Sequence, residues 1–199
     1  MVKNLLPLAV GLAVVETIEN LFRESQLGPS AGVAMVRWPN DILLQNKKVA
    51  GILSEGVALG SNNIAVIGIG LNVNTKTTDL SPTLQPYATS MVEHTGRQWD
   101  LDTITEMLLA RLRGAWHDLT NPCAAEPVDA TRRLLSELAS RDALLGKMVT
   151  ASVDEKRISG RGAGFAPNGA LQLETERGIA KLLSATIISI DGQRVRHLL

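Results

Sequence analysis

The chain has 199 residues, with 20 Lys and Arg balanced by 20 Asp and Glu. That length suits one domain, or one domain with a small appendage. Zero net charge argues against a protein that coats nucleic acid by neutralising phosphates, and 3% aromatic residues argue against a stacking surface for single strands. A single cysteine, Cys123, excludes an internal disulfide framework and a cysteine-cluster metal site. The 45% apolar content is enough to bury a core.

The chain opens on an apolar stretch. Leu5, Leu8, Leu12, Val15, Ile18 and Phe22 recur at three- and four-residue steps and draw one helical stripe. Asn4 suits an N-cap, Pro7 falls in the first turn, and Gly28-Pro29 ends the helix. Pro7, Glu16 and Glu19 do not fit a signal peptide and the apolar stretch is too short to span a bilayer, so the reading is a core helix of a cytoplasmic protein with no membrane partner.

Residues 34–38 then read as a strand ending at Pro39. Residues 42–44 and 49–54 read as a hairpin around the polar turn Gln45-Asn46-Lys47, and residues 63–73 as a further strand. Residues 75–87, with two prolines, form a loop, and a short helix follows over 88–94. Ile104, Leu108, Leu112, Ala115 and Leu119 share a face of a helix over 101–119, with Thr103 and Glu106 at capping-box spacing. Residues 121–127 break the pattern before a helix over 129–138. From Gly146 the texture changes to short β-rich runs with turn signals every eight to twelve or so residues, the pattern of a small antiparallel barrel. The expected fold is α+β: residues 1–145 form a mixed sheet with helices on one side, and residues 146–199 form the barrel.

Chemistry concentrates in Arg37-Trp38-Pro39-Asn40-Asp41 and the Lys47-Lys48-Val49-Ala50-Gly51-Ile52-Leu53 run after it. A hairpin returns Lys48 to the neighbourhood of Asn40 and Asp41, and Gly51 lets backbone approach a ligand closely. Two cations, one anion and a two-way hydrogen bonder can hold a carboxylate and a phosphate together. The same residues also suit an ordinary hairpin with a solvated lysine pair at its turn, and spacing alone favours that plainer reading. Gly68-x-Gly70 lacks the third glycine and the following helix of a dinucleotide fingerprint, so close strand packing is its plainer explanation. Gly160, Gly162 and Gly164 suit barrel bends. His94, His117 and His197 show no metal-ligand spacing, and no metal ligands are assigned. Cys123 has no activating partner nearby in sequence, and Trp99 and Trp116 suit packing.

The segments RWPND, KKVAGIL and GIGLNVN, in this order, resemble the biotin protein ligases. The resemblance runs from the first helix to the terminal barrel. It implies a class II synthetase-like catalytic domain followed by an SH3-like barrel. It implies formation of biotinyl-5′-adenylate from biotin and MgATP, then transfer of biotin to a lysine of a biotin carboxyl carrier protein. Two unit charges about 4 Å apart repel by about 4 kcal/mol at an effective dielectric near 20, so a cation is needed between carboxylate and α-phosphate. Lys48 matches the family lysine with that role. Asn40 and Asp41 match positions near the nucleotide phosphates and Mg²⁺. Arg37 stands where many relatives have Lys. Gly51 matches the backbone that meets biotin, and Asn72 a residue at the nucleotide, while Trp38 lies within the motif and suits either the nucleotide region or the core. An arginine of the terminal domain reaches a nucleotide phosphate in some relatives, but Arg161 does not align with it. Family members carry, upstream of the first helix, a Ser-Thr-Asn segment and a Gly-Arg-Gly-Arg-x-Gly-Arg loop that this sequence lacks. The resemblance thus implies weak adenylate retention, and uncovered sheet edges put a homodimer among the expected states. A non-catalytic nucleotide- or biotin-binding remnant keeps the same letters. A lipoate-type acyl ligase shares the fold, but the Trp-Pro-Asn-Asp segment and the barrel argue against it.

Overall fold

The computed structural model describes residues 2–27, 33–59, 62–120 and 127–195. Gly28-Pro29, most of the 121–127 break, Cys123 and His197 lie outside the described residues.

Helix α1 runs from Val2 to Glu24. It starts ahead of Asn4, so Asn4 is not its cap, and Pro7 lies inside the helix. Leu5, Leu8 and Ile18 are buried, but so are Leu6, Val10 and Val14 on other faces. The helix is therefore enclosed on several sides instead of along one stripe, and an all-round apolar sequence is what such a position requires. Asn4–Glu24 is long and apolar enough to cross a membrane, yet most of it is buried within the protein. Buried Thr17 returns its hydroxyl to the Ala13 carbonyl at 2.7 Å.

Four strands form the sheet beneath α1: β1 (Ala34–Arg37), β2 (Asp41–Leu44), β3 (Lys47–Leu59) and β4 (Asn62–Leu71), in that spatial order. Every ladder between them is antiparallel, and parallel pairing is confined to isolated bridges such as Val36 with Asp142 and Lys48 with Ala88. The β2–β3 turn falls at Gln45-Asn46, both with positive φ (47° and 66°), the geometry whose twist matches a two-residue hairpin. On the α1 side, Gly11 lies against Val36, Ile42 and Ile52. The outer edge of β4 pairs with no strand among the described residues, although its Ile64-to-Leu71 run is apolar and uncharged, as in a strand flanked on both sides.

A 3-10 turn at Thr77–Asp79 and helix α2 (Met91–Thr95) follow. The Ser90 side chain caps α2 by accepting from the Glu93 amide. Helix α3 (Leu101–Thr120) is capped by Asp100, which accepts from the Thr103 amide at 2.9 Å and from its hydroxyl at 2.6 Å. These bonds hold the Asp100 carboxyl below its ordinary range. Thr103 is thus a partner of the cap and not the cap itself. Helices α3 and α4 (Pro127–Ala139) pack on α1, where Arg111 pairs with Glu16 and Arg141 with Glu19.

The remaining strands are β5 (Met148–Val153), β6 (Lys156–Phe165), β7 (Leu171–Thr175), β8 (Gly178–Leu182), β9 (Thr186–Ile190) and β10 (Gln193–Arg194). They make a six-stranded antiparallel sheet ordered β10-β9-β5-β6-β7-β8. Gly164 has a positive φ of 82° and open space around it, whereas Gly160 and Gly162, expected at bends, are held by close packing. A Cβ on Gly160 would stand 2.6 Å from the Glu174 carbonyl oxygen, and one on Gly162 would collide with the Leu144 carbonyl oxygen.

The 141–143 segment covers the outer edge of β1: Val36 donates to the Arg141 carbonyl at 2.7 Å, and Ala143 to the Val36 carbonyl at 2.9 Å. Asp142 is buried there. One of its oxygens accepts from the Leu144 amide at 2.8 Å, and the other has no hydrogen-bond partner. Burial raises its carboxyl to about 6 from an ordinary 3.8. The folded state therefore binds more protons than the unfolded state between those values, and stability falls as pH rises from about 4 to about 6. The loss is roughly 3 kcal/mol at most, at 1.36 kcal/mol per pKa unit. Asp142→Asn should flatten this slope, measured by urea unfolding across that range; an unchanged slope would assign the pH dependence elsewhere.

Candidate functional site

The site is built on the β1–β2–β3 corner. Arg37 and Asp41 are the closing pair of the β1–β2 connection, and residues 38–40 form its loop. In register, Asp41 faces Gly51 across the β2–β3 ladder, and Gly51 faces Gly70 across the next. Lys48 is three residues from Gly51, so in a regular strand it would point to the opposite face. The register shift between Ile42 and Leu43 inserts one extra residue on β3 and turns Lys48 to the Asp41 side.

The result is an ion-pair cluster. Asp41 Oδ2 accepts from Arg37 Nη2 at 2.7 Å and Nε at 3.3 Å, and Asp41 Oδ1 lies 2.7 Å from Lys48 Nζ. The Asp41 side chain is only 9% exposed, and those of Arg37 and Lys48 are 10% and 16% exposed. Two cations and one anion thus meet in a nearly dry corner, where charge interactions are strong. The absent side chain of Gly51 makes room for it, because a Cβ there would sit 3.1 Å from both Lys48 Cε and Nζ.

Beside the cluster the sheet is bare. Gly51, Gly68 and Gly70 share its face, and a Cβ on Gly68 or Gly70 would meet nothing nearer than 3.7 Å and 4.0 Å, respectively. Close packing does not explain these two glycines; they leave an open floor instead. Exposed Leu53, Ile64 and Val66 continue it as an apolar surface.

The other expected residues surround this floor in different ways. Asn40 donates its amide to the Ile52 carbonyl at 2.8 Å, and the Ile52 amide returns to the Asn40 carbonyl at 2.8 Å. Asn72 donates its side-chain amide to the Thr89 carbonyl at 3.0 Å, while the Thr89 amide donates to the Lys48 carbonyl at 2.9 Å. Thr89 thus ties Asn72 to Lys48, a link with no signature in the sequence because it depends on a loop closing over β3. Trp38 is buried and donates its indole N–H to the Gly169 carbonyl at 3.2 Å, away from the floor. Arg161 bonds the Gly146 carbonyl at 2.6 Å. His94, near Lys47, is held below its ordinary pKa by burial and by that lysine's charge. No cluster of three or more His, Cys, Asp or Glu side chains suited to a metal occurs among the described residues, and both Asp41 oxygens are taken by cations. The described residues therefore offer no cluster that fits a protein-held Mg²⁺.

An antiparallel sheet backed by helices, followed by a second small sheet, is the catalytic fold of the biotin protein ligases: the Aquifex aeolicus biotin protein ligase superposes with a TM-score of 0.76 and 27% identity, covering 97% of this chain and 76% of that one. The same enzyme in complex with biotin and ATP superposes with a TM-score of 0.74 and 26% identity, over 96% and 72% of the two chains. Residues 2–74, which carry α1 and the whole ion-pair corner, match the profile of the Biotin/lipoate A/B protein ligase family. The bifunctional ligase/repressor BirA of Bacillus spizizenii is 32% identical over 184 residues, covering 92% of this chain and 52% of the relative. The biotin–[acetyl-CoA-carboxylase] ligase of Paracoccus denitrificans is 29% identical over 154 residues, covering 76% and 60%. The chain thus spans about half the length of the BirA relatives it matches.

If the glycine floor is open for a ligand, adding a methyl group there should separate stability from binding. Gly68→Ala and Gly70→Ala should each leave unfolding free energy within about 0.5 kcal/mol, whereas Gly162→Ala should lower it by about 2 kcal/mol or more through backbone overlap. Urea denaturation of the three variants checks this contrast; equal losses in all three would mean that Gly68 and Gly70 are packing residues after all.

Proposed function

We propose that the chain carries the adenylation site of a biotin protein ligase. The observation that carries this reading is the buried Arg37–Asp41–Lys48 ion cluster at the edge of a floor of glycines. A flat, side-chain-free floor accepts a ring system, an apolar margin accepts an alkyl chain, and a buried cation accepts the anionic end.

In the first step a biotin carboxylate oxygen attacks the α-phosphorus of ATP. An O–P bond forms, the bond to the bridging oxygen breaks, and pyrophosphate leaves with its electron pair. Lys48 lies between the two anions and stabilises the charge that builds on the α-phosphoryl oxygens. Arg37 pairs with Asp41, and Asp41 holds the Lys48 ammonium in place until the anions arrive. Mg²⁺ enters with ATP as part of the substrate, carried on its phosphates. In the second step a carrier-protein lysine amine attacks the acyl carbon, AMP departs and the amine loses a proton to solvent. The proposed acceptor is the lysine of a biotin carboxyl carrier protein domain, and the proposed location is the cytoplasm, where ATP is supplied. The residues beyond 146 are assigned to a separate small domain.

The family profile spans biotin and lipoate ligases. Biotin is favoured because the relatives named with a substrate are biotin ligases. Biotin-dependent exchange of labelled pyrophosphate into ATP tests the reading. Lys48→Ala should cut the exchange rate by at least about a hundredfold, the scale of one lost oxyanion donor, while ATP affinity changes less than about fivefold. That split is the signature of an interaction made mainly in the transition state. Exchange that depends on lipoate instead of biotin, or that survives Lys48→Ala, would overturn it.

A further inference from the structure

We propose that Trp38 is a positioning residue for the Arg37–Asp41–Lys48 cluster, and that the second sheet acts on the site through it; this rests on the adenylation reading of Lys48. The three-residue loop 38–40 connects Arg37 to Asp41, so its conformation decides where both side chains leave the sheet. It has an anchor at each end. Asn40 is bonded to Ile52 of β3, inside the same sheet. Trp38 is bonded through its indole N–H to the carbonyl of Gly169, in the turn between β6 and β7 of the other sheet.

That turn is itself clamped. Gly169 has φ of +81°, and a Cβ on it would stand 2.7 Å from the carbonyl oxygen of Asn4 in α1. The turn therefore touches the start of α1 on one side and Trp38 on the other, with no space for a larger residue. A cleft of about 370 Å³ runs along the same junction, lined by Asn4, Leu6, Pro39, Glu55 and Leu183 among others. The indole is buried in the core beside this cleft, and its N–H bond to Gly169 adds a directional constraint to that packing. The chain of contacts is continuous: Gly169 holds Trp38, Trp38 sets the loop, the loop sets Asp41, and Asp41 holds Lys48 at 2.7 Å.

Trp38→Phe removes the N–H and keeps the aromatic ring. β-(3-Benzothienyl)alanine at the same position swaps the N–H for sulfur at nearly the same shape, and serves if the smaller ring unfolds the chain. Ile187→Val, in β9 of the second sheet and paired with Ala151, supplies a comparable loss of stability by core truncation. The direct readout is acylation by a water-soluble acetyl N-hydroxysuccinimide ester, quantified by peptide mass spectrometry as the ratio of Lys48 to its neighbour Lys47. This needs no turnover, so it separates the positioning claim from the adenylation claim. Loss of one hydrogen bond in the chain should raise the ratio about threefold or more, and Ile187→Val should leave it unchanged. Biotin-dependent pyrophosphate exchange should lose a similar factor in kcat with the KM for ATP within about twofold. An unchanged ratio in a folded Trp38 variant overturns the proposal, as does an equal rise in Ile187→Val or a raised ratio with unimpaired kcat. If the wild-type chain shows no exchange, the adenylation reading fails, and a raised ratio still establishes that Trp38 positions the cluster.

Discussion

Asp41 sits between two cations in a corner almost closed to water, and most of the surrounding sequence is arranged to make that arrangement possible. A buried carboxylate next to one cation roughly balances its desolvation, and removing a partner from such a pair typically costs about 3–5 kcal/mol because it strands a charge. Here Asp41 serves two cations at once. The β-bulge brings Lys48 to its face, Gly51 leaves room for the ammonium, and Asn40 fixes the adjoining loop to β3. Together they place a buried ammonium, held by Asp41, beside an open floor.

The two glycine groups show how one residue type serves opposite needs. Gly160 and Gly162 are forced by backbone that comes too close for any side chain, and they bind the second sheet to itself and to the 144–145 turn. Gly68 and Gly70 have open space above them. The first pair is explained by the protein's own packing; the second is explained by something the protein must accommodate. The apolar, uncharged outer edge of β4 beside them is unusual for an edge strand.

Much of this was legible in the letters. The hairpin at Gln45-Asn46, the α3 periodicity and the change of texture at Gly146 mark elements at or near where the structure has them, because local turn chemistry and hydrophobic period decide them. Element ends were harder. Asp100, not Thr103, caps α3, and Ser90-x-x-Glu93 carried an unread cap signature for α2. The enclosure of α1 on several faces was not legible as such, since a stripe and a fully buried helix share the same apolar positions. At the site, the RWPND and KKVAGIL segments were the ones the fold brings together at Asp41. Three features escaped: the bulge that aims Lys48, the Thr89 link, and the Trp38–Gly169 bond across 131 residues. All three depend on contacts between distant segments, which no local pattern encodes. The plainer account of Gly68 and Gly70 as packing residues was reasonable on spacing and fails on distance.

The cation at Lys48 and the glycine floor are proposed to receive an acyl-adenylate together. A crystal structure of the chain with a non-hydrolysable biotinyl-adenylate analogue tests this most directly. The phosphoryl group should lie within about 3 Å of Lys48 Nζ, hydrogen-bond distance, with the ligand over Gly51, Gly68 and Gly70. A ligand seated instead in the cleft between the two sheets, with the Asp41–Lys48 pair undisturbed, would contradict it.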